Sequence, residues 1–187
     1  MRIISGLYKG KKILEPKDNK TRPLKDLTKE SIFNLILHSK KFNLEFKNAT
    51  ILDLFSGVGS FGLECLSRGA KRVIFVENYK EVLPILKRNL INMKLFNNFK
   101  IIERNVYENL EFLRDEKFDI IFLDPPFREK KISELLNKIK EENLLSKNGV
   151  IILHRHKKEA DNLPNQFKII EEKKYGISKI SFFCLLN

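Results

Sequence analysis

The sequence predicts an α/β domain of the doubly wound, Rossmann-like class, with a mostly parallel sheet and an antiparallel edge. Three observations predict it. Short apolar, largely β-branched runs recur from Thr50 onward as TILDLF, RVIFV, KIIER, FDIIFL and GVIILHR, each separated from the next by enough chain for a helix. A glycine-rich turn, GVGSFG, follows the first of them. Two last runs, FKIIEEKKYG and ISKISFFCLL, meet at a Tyr175-Gly176 turn too tight for a crossover, so they pair antiparallel.

The elements follow in order. RIIS and KKILEP flank Gly6 to Gly10 and read as a short, basic β-hairpin. After the turn-like DNKTRP comes a helix over about Thr28 to Lys40, with Ile32, Leu35 and Ile36 on one face and Asp26 or Thr28 as N-cap. The helix expected over about Tyr79 to Met93 holds Pro84 beyond the first turn, which calls for a kink or a delayed start. With 187 residues the chain suits one well-cored domain and a modest appendage: an extension over residues 1–45 that belongs to the same globular unit, and a main domain over 46–187.

Composition narrows the function classes. No apolar run approaches the roughly 20 residues of a membrane span, and the N-terminus lacks a signal-peptide core, so a cytoplasmic protein is expected. Cys65 and Cys184 lack metal or redox spacing and read as small apolar residues. His38, His154 and His156 do not make a metal site either, so no metal is expected, and a monomer is. The formal net charge of +12 points to a polyanionic partner. A generally lysine-rich surface is the competing account. Distribution favours a patch: Arg2, Lys9, Lys11, Lys12, Lys17, Lys20, Arg22, Lys25 and Lys29 face only Glu15, Asp18 and Asp26 within the first 29 residues.

Two motifs carry chemistry. In LDLFSGVGSFGLE, Gly57-x-Gly59-x-x-Gly62 lies between a strand and a helix, and Glu77 ends the next strand 20 residues after Gly57. Glycines allow a tight turn and close ligand approach, while the acid accepts bonds from ribose hydroxyls. That pattern suits NAD or S-adenosylmethionine alike. Asp53, just before the loop, favours the latter, because it suits a cationic amino group, met directly or through water, and would repel a pyrophosphate. FDIIFLDPPF then separates hydride from methyl transfer. Asp124 falls at the carboxyl end of the fourth strand, where ligands of open α/β sheets bind. Asp124 and the Pro125 carbonyl offer two acceptors to an exocyclic amino group, whose lone pair they would localise, and Phe127 offers a stacking face to a base removed from its stack. Catalysis of that kind is orientation for in-line attack.

With those residues in place, the chain resembles the RsmD family of bacterial small-subunit ribosomal RNA guanine-N2 methyltransferases over essentially its whole length. The blocks that carry the resemblance are MRIISGLYKGKKIL, TRP at Thr21 to Pro23, KESIFN at Lys29 to Asn34, LDLFSGVGSFGLECLSRGA at Leu52 to Ala70, and LDPPF at Leu123 to Phe127. The resemblance implies a class I methyltransferase fold with strand order 3-2-1-4-5-7-6, S-adenosylmethionine as cofactor with S-adenosylhomocysteine as product, and a guanine of 16S rRNA in the small subunit as target. By the same resemblance Asp53, Phe55, Ser56, Gly57 and Gly59 line the cofactor loop. Glu77 takes the ribose, Asn78 is a further cofactor-binding residue, Asn105 and Val106 lie near adenine, and Asp124, Pro125, Pro126 and Phe127 hold the amino group beside the cofactor. Arg2, Lys9, Lys11, Lys12, Arg22 and Lys25 are the RNA-docking residues. Leu24, Lys25, Leu27 and Thr28 depart from the family pattern, and Asn105 stands where many methyltransferases have Asp. Adenine N6 in RNA or DNA, or a protein glutamine, is the alternative methyl acceptor. From other classes, a NAD-dependent oxidoreductase leaves DPPF unused, and an inactive RNA-binding module leaves the cofactor motif unused.

Overall fold

Strands that are apolar along their whole length have no polar face to give to water, so both faces of their sheet must be covered. The computed structural model describes residues 1–16, 24–39, 41, 44, 46–108 and 110–186. Its sheet consists of β1 (Thr50–Leu54), β2 (Arg72–Val76), β3 (Phe99–Ile102), β4 (Phe118–Leu123), β5 (Leu145–His156), β6 (Phe167–Tyr175) and β7 (Ser178–Leu185). The order is β3-β2-β1-β4-β5-β7-β6. Neighbours among the first five strands are parallel, and β7 runs antiparallel to both β5 and β6. The order is the one the family resemblance implies, and the antiparallel edge is the one the last two apolar runs predict.

Alternation sorts the core into two layers. Val73, Phe75, Ile120 and Phe122 pack into one layer with α1 (Asp26–His38), α2 (Ser60–Ser67) and α3 (Leu83–Asn92). Ile74, Val76, Ile121 and Leu123 pack into the other with Leu135, Leu136 and Ile139 of α4 (Ile132–Glu141). Phe61 bridges helix and sheet in the first layer, stacked 4.0 Å from the Phe122 ring and 5.3 Å from Phe33.

Local departures have local causes. The first helix starts at Asp26, two residues before Thr28, and Lys25 takes the N-cap position without a side-chain bond. Asp26 acts from inside the first turn, where its charge suits the helix N-terminus. The Pro84 conflict resolves as a delayed start, with α3 beginning at Leu83 so that the proline occupies the first turn. Between β3 and β4 the expected helix shrinks to one 3-10 turn, Glu111–Leu113. Asn105 competes with it: its Oδ1 accepts the Tyr107 N–H at 3.0 Å and its carbonyl accepts that of Glu108 at 3.2 Å, a side-chain-closed turn.

The N-terminal extension pairs its arms through a single antiparallel bridge, Arg2 to Lys12. A longer ladder does not form because the amides that would extend it are held elsewhere. Glu64 of α2, fully buried, accepts the Ile4 and Ser5 N–H groups at 2.8 and 2.9 Å. Ser67 accepts Tyr8 N–H on its hydroxyl at 3.0 Å and Leu7 N–H on its carbonyl at 2.7 Å. Gly6 makes that approach possible, since its φ is +84° and a Cβ there would lie 1.9 Å from the Ser67 carbonyl oxygen. Lys29, with no exposed surface, donates to the Arg2 carbonyl at 2.7 Å and lies 3.6 Å from Glu64. Burial pulls its pKa down while Glu64 and Asp26 oppose that pull. The extension is thus tied to α1 and α2 through a buried ion pair. Arg22 and Pro23 of the TRP block, and Lys40 at the expected helix end, lie outside the described residues.

Candidate active site at the carboxyl edge of the sheet

Strand order makes the carboxyl ends of β1, β2 and β4 neighbours, and the two sequence motifs meet there. The chain leaves β1 through Phe55, which holds φ at 58°, a strained value for a bulky residue and one that clusters at ligand clamps. Its ring packs against Tyr107, with centroids 5.7 Å apart. Gly57 has φ at +53° with open space where a side chain would stand, so the turn presents bare backbone. Ser56 Oγ beside it is buried and has no hydrogen-bonding partner among the described residues. A buried hydroxyl without a partner costs about 1–3 kcal/mol, and a ligand entering this loop would supply the missing bond.

Glu77 organises the loop. Its Oε2 accepts the Gly57 N–H at 2.7 Å, and its Oε1 accepts those of Asn78 and Tyr79 at 2.9 and 2.8 Å. A carboxylate has about four lone-pair sites, so one site on Oε2 remains for a ligand hydroxyl. The sequence reading gave Glu77 to ribose; the structure adds that it also staples β2 to the glycine turn. Asn78 is exposed beside it. Asp53, 1% exposed, receives the Gly62 N–H at 3.0 Å near the start of α2. Burial drives its carboxyl well up, the Gly62 amide opposes this, and the Asp124 and Glu77 charges add to it.

A cleft of about 220 Å³ runs from Phe55 and Glu77 past Asn105, Val106 and Tyr107 to Pro126 and Glu129. Asn105 is half-buried in its wall, with one lone pair of Oδ1 committed to Tyr107 and no acceptor for its amide donors among the described residues. Val106, 3% exposed, forms an apolar floor. Sequence reasoning missed Arg104, Tyr107 and Glu129 in this wall. Burial, with the Glu129 charge adding, pushes the Tyr107 hydroxyl far up, so it remains a donor.

At the end of β4, the Asp124 side chain is 19% exposed and its Oδ1 lies 2.8 Å from His154 Nδ1. Pro125 is buried, and among the described residues no donor is paired with its carbonyl. Pro126, which the resemblance places among the residues that hold the amino group, has its carbonyl engaged within the protein. Its carbonyl accepts Arg155 Nη1 at 3.1 Å and the Glu129 N–H at 2.9 Å, so it shapes the loop. Arg155, 1% exposed, also donates to the Glu129 carbonyl at 2.7 Å and pairs with Asp161 at 3.0 Å. Phe127 is half-buried, with the His156 ring 5.3 Å away and nearly edge-on. Sequence reasoning also missed the end of β5: three consecutive residues, His154, Arg155 and His156, each brace a different part of DPPF.

Of the basic residues of the extension, Arg2, Lys9, Lys11, Lys12 and Lys25 do not line this cleft. Lys9, Lys12 and Lys25 are exposed; Arg2 lies 3.8 Å from Asp26, and Lys11 Nζ donates to the Asn92 carbonyl at 3.2 Å. Arg22 lies outside the described residues. No helix among the described residues is long and apolar enough to cross a membrane.

The model of the family described as Conserved hypothetical protein 95 matches residues 1–184. Ribosomal RNA small subunit methyltransferase D of Haemophilus influenzae is 33% identical over 182 residues, which covers 95% of this chain and 90% of the relative. A solved structure named as a candidate methyltransferase, yhhF of Escherichia coli, superposes with a TM-score of 0.81 at 26% identity, covering 98% of this chain and 96% of its own. The fold is shared further with SMU.776, a candidate methyltransferase solved with S-adenosylhomocysteine, at a TM-score of 0.61 and 17% identity over 84% of this chain and 49% of that one.

Proposed function

The chain belongs to the Conserved hypothetical protein 95 family, the RsmD family, and on that premise we propose that it methylates the exocyclic N2 of one guanine of 16S rRNA, presented by the small ribosomal subunit. The cofactor is S-adenosylmethionine, which when bound supplies an electrophilic methyl group on sulfur with a neutral thioether as leaving group. The residues of the cleft suit it. Gly57 offers open backbone, Ser56 a hydroxyl in need of a partner, Glu77 one free lone pair for ribose, Asn105 amide donors for adenine, and Val106 an apolar floor.

One observation carries the acceptor side. The Asp124 carboxylate and the Pro125 carbonyl are adjacent acceptors on the sheet edge that bears the glycine loop, and while His154 holds Oδ1 of Asp124, Oδ2 has no donor among the described residues. Two acceptors suit the two N–H bonds of an amino group, and Phe127 suits the ring that carries it. Asp124 and Pro125 orient the amine, Phe127 limits the tilt of the base, and the second Asp124 oxygen is an acceptor for the proton that the methylated nitrogen releases. The test is methyl transfer to small subunits from a strain lacking the enzyme, followed by nucleoside mass spectrometry. The expected product is N2-methylguanosine; N6-methyladenosine alone would move the chain to the adenine reading.

Residues 1–45 supply docking in this proposal, and 46–187 supply chemistry. Lys9 and Lys12 have no acceptor among the described residues, whereas Lys11 exchanges its Asn92 contact for phosphate. Replacing Lys9, Lys11 and Lys12 together by glutamine is expected to weaken subunit binding most at low salt. Each lost contact lowers the salt slope by somewhat less than about one unit. Affinity for S-adenosylhomocysteine stays unchanged, because the patch lies outside the cleft. Unchanged apparent affinity across a salt series would assign the charge to background.

A further inference from the structure

A carboxylate on a short side chain turns readily, because its terminal torsion is broad and roughly two-fold. Asp124 has to present one oxygen in one direction to orient an amine, and its own backbone does not settle which. The structure supplies a clamp from two other strands. His154, the residue after the Leu123–Leu153 register pair, places Nδ1 at 2.8 Å from Asp124 Oδ1, and its Nε2 lies 2.9 Å from Ser178 Oγ on β7. An ionised carboxylate only accepts, so Nδ1 is the donor, and Nε2 is left to meet the serine hydroxyl. His154 and Ser178 are 7% and 8% exposed, so water has little access to compete for these bonds.

The atoms fall in the order of a Ser-His-Asp nucleophilic triad, yet the exposure runs the other way. Ser178 is enclosed in the β5–β7 ladder, opposite His156, and the group that faces the cleft edge is the carboxylate. A serine buried there meets no acyl substrate. We propose that His154, braced by Ser178, is a positioning residue that fixes the Asp124 carboxylate with Oδ1 inward and Oδ2 toward the target amine. The proposal rests on the reading that Asp124 engages that amine. It also assigns a purpose to the end of β5, where Arg155 fixes the Pro126 and Glu129 carbonyls while His154 fixes the acid in front of them.

The experiment uses the full chain and small subunits as substrate, with His154→Leu, His154→Asn, Ser178→Ala and Asp124→Ala compared. Leucine refills the volume without a donor; asparagine places an amide nitrogen near the Nδ1 position. His154→Leu is expected to lower kcat about ten- to a hundredfold, with KM for subunits and affinity for S-adenosylhomocysteine unchanged. His154→Asn is expected to regain most of that loss, and Ser178→Ala to lose about threefold. A purely structural histidine gives a different result: both His154 variants fall together with their melting temperatures, and asparagine rescues nothing. Wild-type kcat in His154→Leu beside an inactive Asp124→Ala overturns the positioning role alone. Wild-type turnover in Asp124→Ala overturns the acceptor reading beneath it. Should the leucine variant fail to fold, an unchanged kcat in Ser178→Ala overturns the brace, and an unchanged KM with a lowered kcat supports it.

Discussion

Asp124→Ala is expected to lower methyl transfer by at least about a hundredfold while S-adenosylhomocysteine binds almost as before. The carboxylate is partly exposed, with one oxygen on His154 and no donor on the other among the described residues, so in the proposed reading its removal takes away an acceptor for the incoming amine. Bonds that hold the glycine loop come from Glu77 and Asp53 and remain in place. A secondary cost is foreseeable. His154 Nδ1 loses its partner in a buried position, worth about 1–3 kcal/mol, and for a chain of this size each kcal/mol lowers the melting temperature by about 2–4 °C. Asp124→Asn separates the two effects, because its carbonyl can face the amine while its NH₂ meets His154 Nδ1 in the other imidazole tautomer; it should melt close to the wild type and retain more activity than alanine. Purified Asp124→Ala with normal turnover on small subunits would end the argument from DPPF.

What the sequence disclosed and what it hid divide along the range of the interactions. The sheet was legible because each apolar run reports its own burial: Val73 to Val76 and Ile120 to Leu123 are apolar at every position, which only a strand covered on both faces can be. DPPF and the glycine loop were legible because their chemistry is a spacing along the chain. The braces behind them were not, since each joins residues far apart. His154 meets Asp124 across 30 positions and Ser178 across 24. A signal existed all the same. GVIILHRH continues past its apolar run at the carboxyl end of a central strand, and polar residues there face ligands more often than solvent alone. Lys29 gave a comparable signal: it shares the helical stripe of Ile32, Phe33 and Ile36, and a lysine on an apolar stripe requires a buried acid, here Glu64. The lost helix after β3 had its own clue in Asn105, whose short side chain closes a turn that a helix would otherwise use.

Glu77→Gln is expected to weaken S-adenosylhomocysteine binding by about ten- to a hundredfold, a loss of about 1.5–3 kcal/mol set by one charge-assisted bond. The substitution preserves size and removes more than charge. Glu77 now accepts three backbone N–H groups, from Gly57 on Oε2 and from Asn78 and Tyr79 on Oε1. A glutamine has one accepting oxygen, so its NH₂ must oppose either Gly57 or the Asn78–Tyr79 pair. Facing Gly57 is the cheaper arrangement, because it strands one donor instead of two, and it turns an amide toward the ribose position that held a lone pair. The glycine turn then loses its tie to β2, which predicts a melting temperature lower by a few degrees and a cofactor cleft that is looser before ligand arrives. Turnover at saturating S-adenosylmethionine should recover much of the wild-type rate, since Asp124, Pro125 and Phe127 are untouched. Calorimetry with S-adenosylhomocysteine decides the matter: an unchanged dissociation constant would show that Glu77 serves the loop alone and that the ribose lies elsewhere in the cleft.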